Sequence, residues 1–261
     1  MEMNNYENLV KKVNEGLSTG SGVYSDDFCA SKEVEFDEVN AWTYWQGRGV
    51  RHPRIMVLGQ DWGSYAVAEP YLKVIDKMMK DKKHSDEVHI FDEIAEKDFF
   101  PSDRNLIEYF GILGNYDIRH KMYPDLFFTN LIPGFRRGSQ SAGGFKDKWI
   151  TQQVKKDLVE LVKILRPQVI LCLGKNVFEH ATLAFGIENV LGNKKWNEYL
   201  DDECRKPIKV NDKLGEPSFL FALPHPGNYG VMNRKKGQHT SEEDWEKVRI
   251  WLDAHSMEWH A

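Results

Sequence analysis

Cysteine is scarce in this sequence: three in 261 residues, Cys29, Cys172 and Cys204. They stand far apart and match no zinc or iron–sulfur spacing, so no metal site is expected. Cys172 lies in an apolar run and reads as a small core residue. Such sparse use of cysteine fits a reducing compartment. No apolar run approaches membrane-spanning length, and the first residues, with Asn4, Asn5 and Glu7, show no signal-peptide core. Positive charge is not in surplus either: 35 basic residues face 40 acidic ones, for a net charge of −5. That excludes a protein coated in positive charge but leaves room for a local basic groove. Internal repeats and low-complexity linkers are missing as well. The expectation is one soluble, cytoplasmic, monomeric domain over residues 1–261 without a cofactor, carrying an N-terminal helical and irregular extension at about 1–50.

What is present is enough apolar sequence, 41%, to bury a sizeable core. The organising stretch runs from Ile55 to Gly63 (Ile-Met-Val-Leu-Gly-Gln-Asp-Trp-Gly). A short apolar run ending in glycine reads as a buried strand, and burial on both faces implies a parallel sheet between helices. Ligands in such sheets sit beyond the carboxyl ends of the strands, which places Gln60 and Asp61 where chemistry is expected. The alternative for Asp61 is a helix cap near Ala66.

Along the chain, Tyr6 to Leu17 reads as an amphipathic helix, and an aromatic patch follows at Trp42, Tyr44 and Trp45, either a base-stacking surface or the end of a core. Arg48, Arg51 and Arg54 lead into the first strand. Tyr71, Val74, Ile75 and Met78 repeat at helical spacing, Lys80 to Glu87 reads as a solvated loop, and Ser102 or Asp103 can cap a helix through Phe110. Asp125 to Leu131 is a second strand ending at Asn130, and Pro133 to Lys148 is a glycine-rich loop. A helix with Ile150, Val154, Leu158, Leu161 and Leu165 on one face stops before Pro167. Val169 to Leu173 is a third strand, Lys175 to Phe185 a helix, and charged irregular sequence is expected up to Glu216. Phe219 to Ala222 is a fourth strand, and a last helix opens at Ser241 with Asp244 as a capping-box partner. Strand–helix alternation of this kind predicts a three-layer α/β/α sandwich with a central four-stranded parallel sheet.

Asp61, Asn130 and His225 then stand at or just beyond three strand ends, able to share one crevice. A carboxylate can orient water or stabilise a cation. An amide can read a planar polar group, and an imidazole can donate to developing negative charge. Pro224 and Pro226 stiffen the loop around His225.

These residues resemble the motifs of the uracil-DNA glycosylase superfamily. Gly59-Gln60-Asp61-Trp62-Gly63 is similar to its first motif, and His225-Pro226-Gly227-Asn228 to its last. Between them lie Leu126 to Asn130, similar to the strand whose Asn reads uracil, and Leu165 to Gly174, similar to the arginine/lysine-proline strand. The resemblance spans roughly Arg54 to Lys236. It implies a monofunctional base-excision enzyme that flips a nucleotide out of DNA. Asp61 would stabilise the sugar cation and position water, and His225 would hydrogen-bond the departing base at O2. Asn130 would bind the base edge with Gln60 beside it. Phe100 would stack on the base, or belong to the core.

Two departures from the family pattern stand out. Gly63 replaces the Tyr whose ring excludes a 5-methyl group, so a 5-substituted base fits unless Trp62 refills the space. The iron–sulfur cysteines of some member families are missing. The loop from Gly227 to Lys236 is read as an insertion loop, with its apolar members, Tyr229 and Met232 among them, filling the gap left by the flipped base and Asn228 meeting the DNA beside them. Arg234, Lys235 and Lys236 would meet phosphates, and Arg136, Arg137, Lys146 and Lys148 would extend that rim. Three functions follow from this reading. They are a DNA glycosylase for uracil or a related damaged base, a non-catalytic nucleic-acid or nucleotide-binding relative, and an unrelated α/β enzyme such as a nucleoside hydrolase.

Overall fold

The computed structural model describes residues 3–19, 22–30, 53–66, 99–121, 123, 125–138, 144–203, 206–211 and 217–255. The aromatic patch at Trp42, Tyr44 and Trp45, Arg48, Arg51, the helix expected through Met78 and the loop from Lys80 lie outside the described residues.

Four short apolar runs form the parallel heart of the sheet: β2 (Ile55–Gly59), β3 (Leu126–Asn130), β5 (Val169–Leu173) and β7 (Pro217–Leu223). Their order across the sheet is β3-β2-β5-β7, with β6 (Ile208–Asn211) closing the far edge. β5 is buried at every position, as a strand covered by helices on both faces must be. β6 is a finding beyond the sequence reading. It lies antiparallel to β7, in the stretch expected to be irregular, which also contains helix α5 (Trp196–Glu203). β6 is only four residues long and α5 is a short helix that buries Tyr199 and Leu200, so neither builds a long periodic pattern.

Helices α1 (Met3–Thr19), α3 (Gln152–Leu165) and α4 (Lys175–Ala184) pack in sequence with one another, α1 on α3 and α3 on α4. Helices α2 (Pro101–Gly114) and α7 (Ser241–Ala254) pack together elsewhere. Alternate side chains of β3 separate the two layers: Phe127 meets Tyr6 of α1 edge-on, while Phe128 meets Phe110 of α2. Trp245 of α7 completes the second layer, stacking on Tyr109 at 5.4 Å. α3 buries the stripe read from sequence and ends at Arg166 in the left-handed conformation, just before Pro167.

The stripe on α3 also holds a carboxylate, Asp157, buried and satisfied by the Tyr24 hydroxyl, Gln153 Nε2 at 2.7 Å and Lys12 Nζ at 3.3 Å. Burial first, then the bond to Asp157, holds the Tyr24 phenol well above its ordinary range. This cluster ties the segment after α1 to α3. Continuing from it, β1 (Phe28–Cys29) pairs antiparallel with β4 (Phe135–Arg136), inside what reads as a glycine-rich loop.

The cap of α7 corrects the sequence reading by one residue. Thr240 is the N-cap: its hydroxyl accepts from Glu243 N at 3.3 Å, and Glu243 accepts from Thr240 N at 2.6 Å. Asp244 is not the partner because its carboxylate turns inward to Arg234. At α2 the helix starts at Pro101, and Asp103 reaches back to accept from Phe100 N at 3.3 Å.

Candidate active site

β2 and β3 are in register with Gly59 beside Asn130, so both strands end at one level. A side chain at Gly59 would collide with Asn130, whose Oδ1 lies 2.1 Å from where a Cβ would stand. The amide oxygen thus occupies the space a Cβ would take, and glycine is required here for that close approach. Beyond Gly59 the chain turns through Gln60, Asp61 and Trp62 to Gly63. Gly63 has φ +76°, a conformation that side chains resist.

Asp61 is the most heavily bonded group in this turn. Its Oδ1 accepts from Gly63 N at 2.7 Å, and its Oδ2 accepts from Gln60 Nε2 at 2.7 Å. Oδ2 also accepts from Arg136 Nε at 3.1 Å and Nη2 at 2.8 Å. The Asp61 side chain is only 1% exposed and that of Arg136 13%. The alternative reading of Asp61 as a cap at Ala66 does not describe this geometry. Instead, the carboxylate closes an Asx-type turn onto Gly63 and pairs with a cation.

His225 follows β7 on a loop pressed between glycines. Cβ atoms built at Gly174, Gly227 and Gly230 would stand 3.4, 3.0 and 2.0 Å from atoms of His225. Gly227 N donates to His225 Nδ1 at 2.9 Å, which makes Nδ1 the acceptor and leaves the proton of the neutral ring on Nε2. His225 is exposed on the cavity side, but the protein packed around its loop desolvates the ring enough to hold the imidazole pKa below its ordinary value. Asp61 pulls it upward and Arg136 pushes it further down. The ring is therefore neutral at pH 7. Asn105 of α2, unforeseen from sequence, donates to Pro226 O at 2.6 Å and ties this loop to the opposite layer.

One cavity of about 460 Å³ is lined by Gln60, Asp61, Trp62, Gly63, Phe100, Asn130, Arg136, His225, Asn228 and Tyr229, together with apolar Val57, Leu106 and Phe128. Mostly apolar walls with a few convergent polar groups are the usual make-up of a small-molecule site. A Cβ added at Gly63 would meet nothing within 4 Å. Phe100 lies half-buried at the entry to α2, and Trp62 packs half-buried against the core.

Among the described residues, no group of three or more histidine, cysteine or acidic side chains is placed to hold a metal ion. No described helix is long and apolar enough to cross a membrane.

The residues read as a phosphate rim do not stay together. Arg136 belongs to the cavity wall, where it pairs with Asp61, because β4 pairing with β1 turns it inward and its guanidinium lies over Trp149 at 5.2 Å. Arg137 is exposed, and its Nε donates to the carbonyls of Asp26 and Phe28. Lys146 and Lys148 pair with Asp27. The expected insertion loop is helix α6 (Asn228–Arg234), which leaves Tyr229 78% and Met232 56% exposed. Lys235 and Lys236 are exposed beyond it. Arg234 is a correction: its side chain is fully buried, on Asp244 at 2.5 and 2.9 Å and on Asp201 at 2.7 Å. It cannot reach a phosphate, because buried Asp244 and partly buried Asp201 hold it inside. The periodicity of a seven-residue helix is too short to have revealed that inward face.

The Uracil DNA glycosylase superfamily model matches residues 46–253 of this chain. The chain belongs to that superfamily. Its mostly parallel sheet flanked by helices is the superfamily's three-layer fold. Members generally hydrolyse N-glycosyl bonds and act on DNA. No curated protein matches the chain in sequence.

Proposed function

We propose that this superfamily member is a monofunctional DNA glycosylase that removes uracil or a related damaged base. The observation that carries the reading is the meeting of Asp61, Asn130 and a neutral His225 in one cavity at the carboxyl end of the sheet. Asn130 binds the polar edge of the flipped base, and Phe100 stacks on its face. As the C1′–N bond breaks, its electron pair passes to the base, and His225 Nε2–H donates to the carbonyl oxygen where that charge gathers. Asp61 steadies the cationic sugar and directs water to C1′. The water's hydroxyl ends on the sugar and its proton on the base. Exposed Tyr229 and Met232 of α6 fill the stack where the base was, with Asn228 beside them, and Lys235, Lys236 and Arg137 face phosphates. The open wall at Gly63 suits a 5-substituted pyrimidine as well as uracil.

A second reading rests on a specific observation. Asp61 is saturated by donors and almost fully covered, which suits a protein that binds a base or nucleotide without cleaving it.

The deciding experiment is base release from labelled single- and double-stranded oligonucleotides, scored by strand cleavage at abasic sites. The substrates carry uracil, a thymine mismatch, hypoxanthine or 5-hydroxymethyluracil. The glycosylase reading expects release of at least uracil, cut by a hundredfold or more in Asp61→Asn and in His225→Ala with the fold intact. Tight binding with no release from any substrate selects the second reading.

A further inference from the structure

Asp61 Oδ2 accepts three donors where an oxygen offers about two lone pairs, and Oδ1 is tied to the turn. A water cannot hand this carboxylate a proton, nor can its charge act fully on a sugar cation, while a guanidinium 2.8 Å away neutralises it. One donor must leave before the proposed chemistry runs. Gly63 N is backbone, fixed in a left-handed turn whose carbonyl in turn accepts from Arg136 N at 2.8 Å. Gln60 is a neutral amide, for which an anion competes weakly. Arg136 is the one charged donor of the set, lines the cavity, and keeps enough exposure for a ligand to reach it. Guanidinium groups bind phosphate in the same forked manner as carboxylate. The face of Trp149 supports the guanidinium from one side whichever anion it meets. Trp149 is itself fixed by its indole N–H on Asp27 at 2.5 Å.

Resting on the glycosylase reading, we propose that Arg136 confines hydrolysis to phosphate-bearing substrates: it holds Asp61 locked until a phosphate of the bound nucleic acid takes the guanidinium over. A free nucleoside fills the base pocket but brings no anion, so Asp61 stays paired, covered and inert. A strand brings phosphates on both sides of the flipped nucleotide. Once one of them holds Arg136, Asp61 Oδ2 faces the cavity and can direct water to C1′. Arg136 is thus a specificity-determining residue that acts through Asp61.

The test is single-turnover kinetics at saturating substrate, so that weaker binding does not enter the rate. Oligonucleotides carry uracil with the 5′ or the 3′ neighbouring phosphate replaced by an uncharged methylphosphonate. Deoxyuridine and its 5′-monophosphate are run beside them to separate a strand phosphate from a terminal one. The wild-type rate is expected to fall at least tenfold with one of the two replacements. Arg136→Met is expected to respond less than twofold to both and to release uracil from deoxyuridine faster than wild type does. A wild-type rate indifferent to both replacements overturns the proposal. So does an Arg136→Met enzyme that keeps the wild-type dependence.

A second measurement does not need the variant. The Arg136 Nε–H resonance of the wild-type protein is expected to shift when a non-cleavable abasic-analogue oligonucleotide binds, and not when free uracil does. A resonance unmoved by the bound strand overturns the lock. If the wild type releases no base from any oligonucleotide, the glycosylase reading fails on its own, and this resonance still decides whether phosphate unlocks Asp61.

Discussion

Gly59→Ala tests whether Asn130 reads the base. A methyl group at residue 59 would stand 2.1 Å from Asn130 Oδ1, whereas its next neighbours, Asn130 Cγ and Thr129 O, lie at 3.3 and 3.7 Å. The clash is therefore with one rotatable amide, and turning that amide away relieves most of it. Overpacking of this kind costs about 1–3 kcal/mol of stability. For catalysis, losing two well-aligned bonds to a base edge costs roughly 1–3 kcal/mol, or about five- to 150-fold in kcat/KM. Asn130→Ala should lose the same activity while keeping its stability closer to wild type. The double variant is the informative case. With the amide gone the methyl group has room, so thermal stability should return to within about 0.5 kcal/mol of Asn130→Ala. Its activity should fall no further than either single variant, because both remove one interaction. Thermal unfolding and base release from a uracil oligonucleotide measure the two quantities on the same samples. Full activity in Gly59→Ala, or losses that multiply in the double variant, would refute the assignment of Asn130 to the base.

Two further predictions follow. His225 should titrate below the ordinary value of 6.5, with its neutral-state proton on Nε2 in the 15N spectrum, and its pKa should rise in Arg136→Gln, which removes a repelling charge. Because the folded pKa is depressed, the unfolded chain takes up the proton first as pH falls. Stability from this residue is therefore present above about pH 6.5 and is lost as pH drops through the folded pKa; a midpoint at or above 6.5 would contradict this. Arg234→Met strands two carboxylates, so stability should drop by about 3 kcal/mol or more, roughly 6 °C or more in Tm at this size. The salt dependence of DNA binding should stay unchanged in that variant, whereas Lys235→Ala should leave Tm unchanged and lower the salt slope by about one. A changed slope in Arg234→Met would return it to the rim.

The strands and long helices were legible in the sequence because each repeats one simple pattern. Val169 to Leu173 is an unbroken apolar run, and Val154 to Leu165 keeps a helical stripe. Strand ends were equally legible, so Asp61, Asn130 and His225 could be placed near one another before their side chains were seen. What escaped depends on partners distant in sequence. Arg136 and Arg234 look like any basic residue in a polar stretch. One turns inward because β4 finds β1 over a hundred residues away, the other because Asp244 and Asp201 lie across a helix packing. Asn105 is likewise one more polar residue on a helix until the carbonyl of Pro226 arrives opposite it. α5 and β6 were lost to their brevity and charge. Thr240 was overlooked because Ser241 and Asp244 satisfy the same four-residue rule one step later.

Through the ribbon of β1 and β4 the beginning of the chain supports the cavity wall from behind. Arg136 is braced by Trp149, Trp149 by Phe28 and Asp27, and the backbone of Arg136 by Phe28. Trp149 lies within the superfamily match, but Phe28 and Asp27, which hold it, precede the match at 46. α1 adds Tyr6, Leu9, Val13 and Leu17 to the same hydrophobic cluster as the sheet. A fragment trimmed to 46–253 would keep Asp61, Asn130, Arg136 and His225, yet β4 would lose its pairing with β1, and Trp149, which backs Arg136, would lose Phe28 and Asp27. The stretch matched by the superfamily model and the stretch that holds the cavity wall in place are therefore different.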